Sequence, residues 1–178
     1  LVQMQKENKI NYVILRYFNV AGADLKLRSG LISKSPTHLI KIASEAAVGK
    51  RESISIFGSD YNTPDGTPIR DYIHVSDLAE IHVKSIEYLL EKKHSTILNC
   101  GYGKGYSVKE VLNVMNKICK DKIKVKFGKR RPGDATSLVS DVSKLMQTIK
   151  WTPNYNDLEI ILKTAIKWEK KLQYEKIL

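Results

Sequence analysis

The chain has 178 residues, of which 42% are hydrophobic, so it can bury one sizeable core and is not a disordered polypeptide. Thirty basic residues against 19 acidic ones give a formal net charge of +11, which makes nucleic acid a partner to consider. No apolar run reaches the length of a membrane span, and the N-terminus lacks a secretory signal, so we expect a cytoplasmic protein without a membrane partner.

Strands and one helix alternate over the first part of the chain. Residues 1–9 are typical of the end of a helix, so we expect this chain to be the second half of a larger protein. A near-continuous apolar run over 12–20 predicts a strand buried on both faces. Helical spacing of apolar residues predicts a helix over 38–48. Strands are predicted over 53–57 and 69–74, and the loop between them is rich in turn-forming residues.

The strand over 69–74 carries polar side chains next to a helix start. Every second residue of a strand points to the same face, so Arg70 and His74 lie on one face of this strand. Asp77 is placed to cap the following helix, with Glu80 in the capping-box position. The pattern leaves two interpretations open, the solvated face of an edge strand or a face that binds a polar ligand.

The second part of the chain continues the alternation. A helix is predicted over 77–92 and a strand over 96–100, followed by a helix that Ser107 and Glu110 begin with a capping box. The remaining predicted elements, in order, are a strand over 123–127, a loop over 128–137, a short strand near 138–139, and helices over 142–149 and 157–173. Strands that alternate with helices predict an α/β fold.

Two short motifs resemble cofactor or catalytic patterns and have simpler explanations. The glycine-rich turn over 101–107 lacks the third glycine of a dinucleotide-binding turn, since Tyr106 stands there, so we interpret it as turn chemistry. Tyr88 and Lys92 form a Tyr-x-x-x-Lys pair, but they lie near the frayed end of a helix that faces the core. We interpret that pair as a chance match. Two isolated cysteines and four scattered histidines predict no disulfide and no metal site.

The basic loop over 130–134 offers a set of groups suited to a nucleotide. Planar guanidinium groups fit phosphate oxygens, and a carboxylate such as Asp134 can accept hydrogen bonds from ribose hydroxyls. This loop supplies two arginines and a carboxylate, and Arg70 adds a further guanidinium group, a set that suits a sugar nucleotide diphosphate. The surrounding basic run over 117–131 includes only one aromatic residue, Phe127, so we expect no nucleic-acid binding.

Four sequence blocks occur in a recognisable order, at 16–23, 55–58, 60–79 and 130–134. Together they closely resemble the C-terminal half of the UDP-glucose 4-epimerase family of extended short-chain dehydrogenase/reductases. The resemblance spans almost the whole chain, residues 1–178. It implies an α/β fold with the C-terminal part of a Rossmann-like parallel sheet and a small α/β substrate-binding lobe. It assigns residues to these two parts as follows: 12–20 and 69–105 to the sheet, 21–68 and 106–178 mainly to the lobe.

The resemblance also implies a reaction. In this family NAD takes a hydride from C4 of a UDP-hexose, the keto intermediate turns about its diphosphate, and the hydride returns, which interconverts UDP-glucose and UDP-galactose. Most of the NAD site and the catalytic Tyr and Lys are expected in an N-terminal half outside these residues. We therefore expect a homodimeric parent enzyme, with most of its interface in that half, and little or no turnover from this chain alone.

The family pattern assigns a role to each of twelve residues. Near the phosphates the pattern places Asn19, His38 and Leu39, and around uracil it places Ser55, Ile56 and Phe57. The residues expected to bind the diphosphate are Arg70 and Arg131, and the residue expected to bind ribose is Asp134. The hexose pocket is expected to be gated by Leu138, and the nicotinamide pocket to be lined by Tyr17 and Phe18. His38 stands where some members have Asn, and Leu138 is smaller than the Tyr of others. The alternatives left open are an epimerase of UDP-N-acetylhexosamines or UDP-uronates, a nucleotide-sugar dehydratase, a basic nucleic-acid-binding protein and a non-catalytic remnant.

Overall fold

The computed structural model describes residues 1–7, 10–92, 94–120 and 123–175. The predictions for residues 8–9, and for residues 121–122 of the basic run, lie outside the described residues. None of the helices in the described ranges is long and apolar enough to cross a membrane.

The described helices and strands alternate as the sequence predicts. Helices run over Val2–Lys6 (α1), Leu39–Ala47 (α2), Val75–Lys92 (α3), Val108–Cys119 (α4), Ser143–Ile149 (α5) and Leu158–Tyr174 (α6). Strands run over Val13–Tyr17 (β1), Asn19–Ala21 (β2), Ser53–Phe57 (β3), Ile69–His74 (β4), Thr96–Cys100 (β5), Gly105–Ser107 (β6), Lys124–Gly128 (β7) and Ser137–Leu138 (β8). Parallel pairing joins β1 to β5, β2 to β4 and β3 to β7, so the predicted α/β fold is confirmed.

Strand β4 lies inside a sheet and is not an edge strand. It pairs with β2 in parallel through Tyr72 to His74, with β6 antiparallel near its start, and with β8 in parallel at Ile69 and Arg70. Tyr72 and His74 are buried as a result, and the solvated-edge interpretation of this strand is wrong. Strand β6 was predicted as part of a turn, because three residues give too short a pattern to reveal pairing.

The predicted single strand over 12–20 divides at Phe18. Strand β1 pairs with β5, whereas β2 pairs with β4, so the chain changes partner between Tyr17 and Asn19. At the break, the backbone N–H of Phe18 donates to the carbonyl of Cys100 at 3.2 Å. The two strands are half-buried or exposed along their length, so the expectation of burial on both faces is wrong.

One face of the molecule is apolar and open. Within the described residues, β1 and β5 pair only with each other. On the outer side of α3, Val83, Ile86 and Leu90 are 56%, 59% and 74% exposed, and their spacing of three and four residues puts them on one stripe. Tyr17 at the end of β1 is 56% exposed.

The larger of two core clusters in the described residues fixes the helices against the sheets, and the smaller one contains Ala23, Trp168 and Leu172. The fully buried members of the larger cluster come from both halves of the chain and include Ile73, Ile81, Leu98, Met115, Leu145, Ile161 and Leu162. The predicted start of α4 is confirmed, since the Ser107 hydroxyl accepts from the Glu110 N–H at 3.0 Å and the Glu110 carboxylate accepts from the Ser107 N–H at 2.6 Å. The start of this helix is therefore fixed by residues three positions apart in the sequence.

A buried carboxylate, Asp71, joins β4 to the two segments beside it. It accepts hydrogen bonds from the N–H groups of Tyr102 and Gly103, both at 3.0 Å, from the Ser140 N–H at 3.2 Å, and from the Ser140 hydroxyl. A Cβ on Gly101 would lie only 2.4 Å from an Asp71 carboxylate oxygen. The glycine-rich turn thus packs closely on a side chain and not on a phosphate.

The predicted capping role of Asp77 is wrong. Helix α3 begins at Val75, and the Asp77 carboxylate accepts from the backbone N–H groups of Asn154 at 3.1 Å and Tyr155 at 2.9 Å. Glu80 likewise accepts from the Asn154 side chain at 2.8 Å. Donors distant in sequence, the backbone of Asn154 and Tyr155 and the side-chain amide of Asn154, therefore take the acceptors that a capping box would use.

Candidate functional site

A cavity of about 390 Å³ lies where β1 and β2 end and α2 begins. Four of the predicted site residues line it: Tyr17, Asn19, His38 and Leu39. The carboxyl ends of parallel strands are the usual ligand-binding edge of such sheets, and β1 and β2 both end here. The cavity therefore joins the residues assigned to phosphate with one residue assigned to the nicotinamide pocket.

The first turn of α2 suits an anion. His38 is the residue before the helix, it is exposed, and its side chain does not cap the helix. The N–H groups of a first helical turn have no partner within the helix, and the helix dipole adds positive potential at this end. A phosphate next to His38 and Leu39 would accept hydrogen bonds from these N–H groups and would be attracted by the positive end of the helix dipole.

Strand β4 links this cavity to a second cluster of predicted residues. Tyr72 lines the cavity and stands in register with Asn19. Burial raises the pKa of Tyr72, so its phenol remains protonated and can act as a hydrogen-bond donor. Arg70 lies two residues earlier, on the same face of the strand.

The second cluster is centred on an ion pair between Arg70 and Asp134. The Arg70 guanidinium donates to the Asp134 carboxylate and also to the Ile69 carbonyl at 2.7 Å. The two charged side chains are only 14% and 29% exposed, so water screens them less than a surface pair. This pair brings together two sequence blocks that lie 64 residues apart.

Arg131 reaches the same cluster from the basic loop. Its guanidinium carbon lies 3.9 Å from the centre of the Phe57 ring, which is a cation–π contact. The Asp134 N–H donates to the Arg131 carbonyl at 3.4 Å, so both residues belong to one turn. On β8, Leu138 is the register partner of Arg70 and is 48% exposed.

The three residues assigned to uracil do not share one face. Ser55 and Phe57 are exposed on one side of β3, whereas the Ile56 side chain is only 3% exposed and packs in the core. This follows from the two-residue period of a strand. Ile56 can therefore contribute its backbone, but not its side chain, to the surface beside Phe57.

Sequence reasoning missed a buried ion pair in the wall of the cavity. The Lys41 ammonium donates to the Glu169 carboxylate and to the Leu31 carbonyl at 3.3 Å, and Lys41 and Glu169 are 5% and 1% exposed. The partners are 128 residues apart, and each is a common surface residue. No local signal could have identified them.

His74 is buried at the junction of β2, β4, α3 and α6. Its Nδ1 accepts from the Ser76 N–H at 3.1 Å, and its Nε2 lies 3.2 Å from the Thr164 hydroxyl, which accepts the Ala23 N–H. An acceptor at Nδ1 requires neutral imidazole with its proton on Nε2. Burial lowers the pKa of His74, although the nearby charges of Asp77 and Asp24 oppose that shift.

The neutral state of His74 makes folding dependent on pH. The unfolded chain binds a proton at this residue below about pH 6.5, whereas the folded chain resists it, so the free energy of unfolding should fall as the pH falls below about 6.5. Asparagine can keep the acceptor for Ser76 without titrating, so His74→Asn should flatten this part of the pH profile. Urea unfolding between pH 5 and 7.5 measures the free energy of unfolding and its dependence on pH. His94→Asn at an exposed site is the control, and an equal slope in His74→Asn and the parent chain would contradict the assignment.

Comparison with known proteins places these features in a family. Residues 1–101 match the NAD dependent epimerase/dehydratase family. A UDP-glucose 4-epimerase of Azospirillum brasilense is 46% identical over 161 residues, which cover 90% of this chain and 46% of that protein. The chain spans about half the length of the curated relatives it matches.

Solved structures share the architecture. The UDP-glucose 4-epimerase of Stenotrophomonas maltophila, with bound NAD and formylated UDP-arabinopyranose, matches with a TM-score of 0.93 at 30% identity, over 98% of this chain and 52% of that one. The UDP-Glc/GlcNAc 4-epimerase of Campylobacter jejuni matches with a TM-score of 0.78 at 46% identity, over 94% of this chain and 51% of that one. The similarity therefore extends over nearly all of the described fold.

Proposed function

The chain belongs to the NAD dependent epimerase/dehydratase family, and we propose that it supplies the UDP-sugar site of a UDP-glucose 4-epimerase. In that role the whole protein interconverts UDP-glucose and UDP-galactose by oxidation and reduction at C4. We assign to the described residues the binding and orientation of the UDP-sugar, and we assign the role of catalytic acid or base to none of them. We accordingly expect the chain on its own to bind UDP without appreciable turnover.

The main support is the ion pair between Arg70 and Asp134. It holds a guanidinium group and a carboxylate beside Arg131, at the point where two distant blocks of the sequence meet. Arginine forks recognise phosphate oxygens, and a carboxylate accepts hydrogen bonds from ribose hydroxyls. Each charged group of the pair neutralises the other.

A nucleotide bound at this cluster would be anchored at both of its polar parts. Arg70 and Arg131 would hold the diphosphate, and the first turn of α2 at His38 and Leu39 would face it from the cavity. Asn19 would donate from β2 on the same side. The hexose would then remain free to turn while the uridine end stays fixed, as epimerisation at C4 requires.

The residues present fit the nicotinamide end of NAD. Tyr17 offers an exposed ring at the cavity, Phe18 lies next to it at the strand break, and Asn19 offers an amide. A flat apolar ring that carries a carboxamide suits such a surface, so Tyr17 and Phe18 would hold it. When bound, NAD supplies the hydride acceptor and donor for the hexose carbon.

An epimerase that also accepts N-acetylated sugars is the second candidate. Leu138 is exposed beside Arg70, and leucine occupies less space than tyrosine. The similar protein from Campylobacter jejuni is described as a UDP-Glc/GlcNAc 4-epimerase. An open hexose pocket at Leu138 would admit the larger 2-substituent.

A calorimetric titration of the chain tests both candidates. We expect saturable binding of UDP with a modest salt dependence, and comparable affinity for UDP-glucose and UDP-N-acetylglucosamine. Leu138→Tyr should weaken binding of the acetylated sugar selectively, because the larger ring fills the space beside Arg70. Leu138→Met, which nearly conserves volume, is the matched control.

Different results would separate the alternatives. If neither the parent chain nor Leu138→Tyr bound UDP-N-acetylglucosamine, the candidate that accepts N-acetylated sugars would be excluded, and UDP-glucose would remain as the substrate class. Steeply salt-dependent binding of an unrelated DNA duplex, without binding of UDP, would overturn the UDP-sugar site itself.

A further inference from the structure

Tyr61 is buried although it lies in the long loop between β3 and β4. Its side chain is 3% exposed, yet it belongs to neither of the core clusters among the described residues. Its backbone N–H donates to the Gly66 carbonyl at 3.1 Å, which closes the loop on itself. Gly58 has a φ of +86°, and a Cβ there would lie 2.6 Å from the Tyr61 ring, so the loop is shaped to admit this aromatic side chain.

The Tyr61 side chain contacts both ends of the 130–134 turn. The guanidinium carbon of Arg130 lies 3.8 Å from the centre of its ring. The Tyr61 hydroxyl lies 3.5 Å from an Asp134 carboxylate oxygen, as a long hydrogen bond. Between these two contacts stands Arg131, stacked on Phe57. Each of the two adjacent arginines is thus supported by one aromatic ring.

Apart from the Arg70–Asp134 ion pair and the stack of Arg131 on Phe57, the turn has few contacts that would fix it. Gly133 has a φ of +75°, and a Cβ there would meet nothing within 4 Å, so this residue does not pack against a neighbouring element. Arg130 has 42% of its side chain exposed and faces Asp60 only at 3.9 Å. Without the stack on Tyr61, the Arg130 end of the turn would be held less firmly, and part of the turn would have to be ordered when a nucleotide binds, at a cost in affinity.

We propose that Tyr61 is a positioning residue for nucleotide binding, which acts through its stack with Arg130 and its contact with Asp134 to hold the 130–134 turn against Arg70. The inference rests on the proposed function, because that function assigns Arg131 and Asp134 to the nucleotide. Tyr61 itself need not touch the ligand. Its effect should therefore depend on Arg130, the partly exposed residue that stacks on the ring.

A double-variant titration with UDP tests this dependence on the whole chain. Tyr61→Leu and Arg130→Ala should each weaken UDP binding by about fivefold, the effect of losing one cation–π contact of ordinary strength. The double variant should bind UDP no more weakly than whichever single variant has the lower affinity, because both changes remove the same stack. Tyr61→Phe keeps the stacked ring and should retain most of the affinity.

Thermal unfolding and a control variant separate positioning from general stability. Lys163→Ala removes an exposed positive charge from α6, whose partner is Glu159 on the same helix, and should leave UDP binding unchanged. Should Tyr61→Leu fail to fold, Arg130→Ala and Tyr61→Phe still decide, since neither leaves a large cavity. A loss in Tyr61→Leu with normal binding in Arg130→Ala, or fully additive losses, would overturn the inference.

The two proposals fail in different ways. If Arg70→Ala and Arg131→Ala weaken UDP binding while Arg130→Ala and Tyr61→Leu do not, the UDP-sugar site stands and the role of Tyr61 is wrong. If the parent chain does not bind UDP, the proposed function fails and the positioning role of Tyr61 fails with it.

Discussion

Replacing Arg70 with alanine should weaken UDP binding by about ten- to hundredfold, because hydrogen bonds to charged groups contribute about 1.5–3 kcal/mol. Arg70 is the one side chain that would contact the diphosphate and also already pairs with Asp134. Its loss therefore removes a phosphate ligand and leaves the Asp134 carboxylate without its cation. Calorimetric titration with UDP, UMP and uridine measures the loss and assigns it to the phosphates or the nucleoside.

Two further variants sharpen the result. Arg70→Lys keeps the charge but loses the planar fork, so its affinity should lie between those of the parent chain and Arg70→Ala. Arg131→Ala should weaken UDP binding over a similar range. Unchanged binding of UDP in both alanine variants would remove both arginines from the nucleotide site. The control Lys163→Ala also removes one positive charge, so it measures the effect of net charge alone.

Asp71→Ala should lower the free energy of unfolding by about 3–5 kcal/mol, since several buried hydrogen bonds to one carboxylate are lost together. Its donors come from Tyr102, Gly103 and Ser140, and in the variant the buried N–H groups of Tyr102 and Ser140 would lose this acceptor. Folded domains have only about 5–15 kcal/mol of stability, so the loss should shift the urea midpoint strongly. Equilibrium urea unfolding gives the value.

The control is a carboxylate outside the core. Glu52→Ala at an exposed position should change the stability by less than about 0.5 kcal/mol. Asp71→Asn preserves the side-chain volume but puts an amide N–H among donors, so it should still be clearly destabilising. If Asp71→Ala unfolded at the same urea concentration as Glu52→Ala, the Asp71 carboxylate would not be what joins β4 to the glycine-rich turn and to the segment after β8.

Local sequence patterns predicted the elements whose contacts are also local. The helix after Ser107 starts at its capping box, and the helix before Gly49 ends where that glycine adopts a φ of +83°. Both of these helix ends are decided by residues a few positions apart, so the local sequence contains the signal. The strand over 53–57 also has the predicted bounds, although its pairing partner β7 is distant in the sequence.

Distant partners caused the wrong predictions. The sequence pattern places Asp77 at a helix cap, but the helix begins at Val75 and the backbone N–H of Asn154 donates to the Asp77 carboxylate. The run over 12–20 has the right composition for one strand, but Cys100 accepts the Phe18 N–H where the pairing changes. Neither competitor can be identified from the local sequence.

The candidate site was predicted through resemblance and not through local chemistry. Arg70 and Asp134 were each assigned to a nucleotide, and the direct pair between them was not foreseen. The supporting residues around them, such as Tyr61 under Arg130, were not assigned at all. An aromatic residue in a polar loop has no pattern that distinguishes burial from exposure.

The open apolar stripe on α3 has a consequence for how molecules of this chain behave toward one another. Val83, Ile86 and Leu90 favour self-association, while a net charge of +11 makes neighbouring molecules repel. Added salt screens that repulsion and strengthens the attraction between apolar surfaces. Colloidal stability should therefore be greatest in dilute buffer well below the isoelectric point of about 9.5 and decline as ionic strength rises.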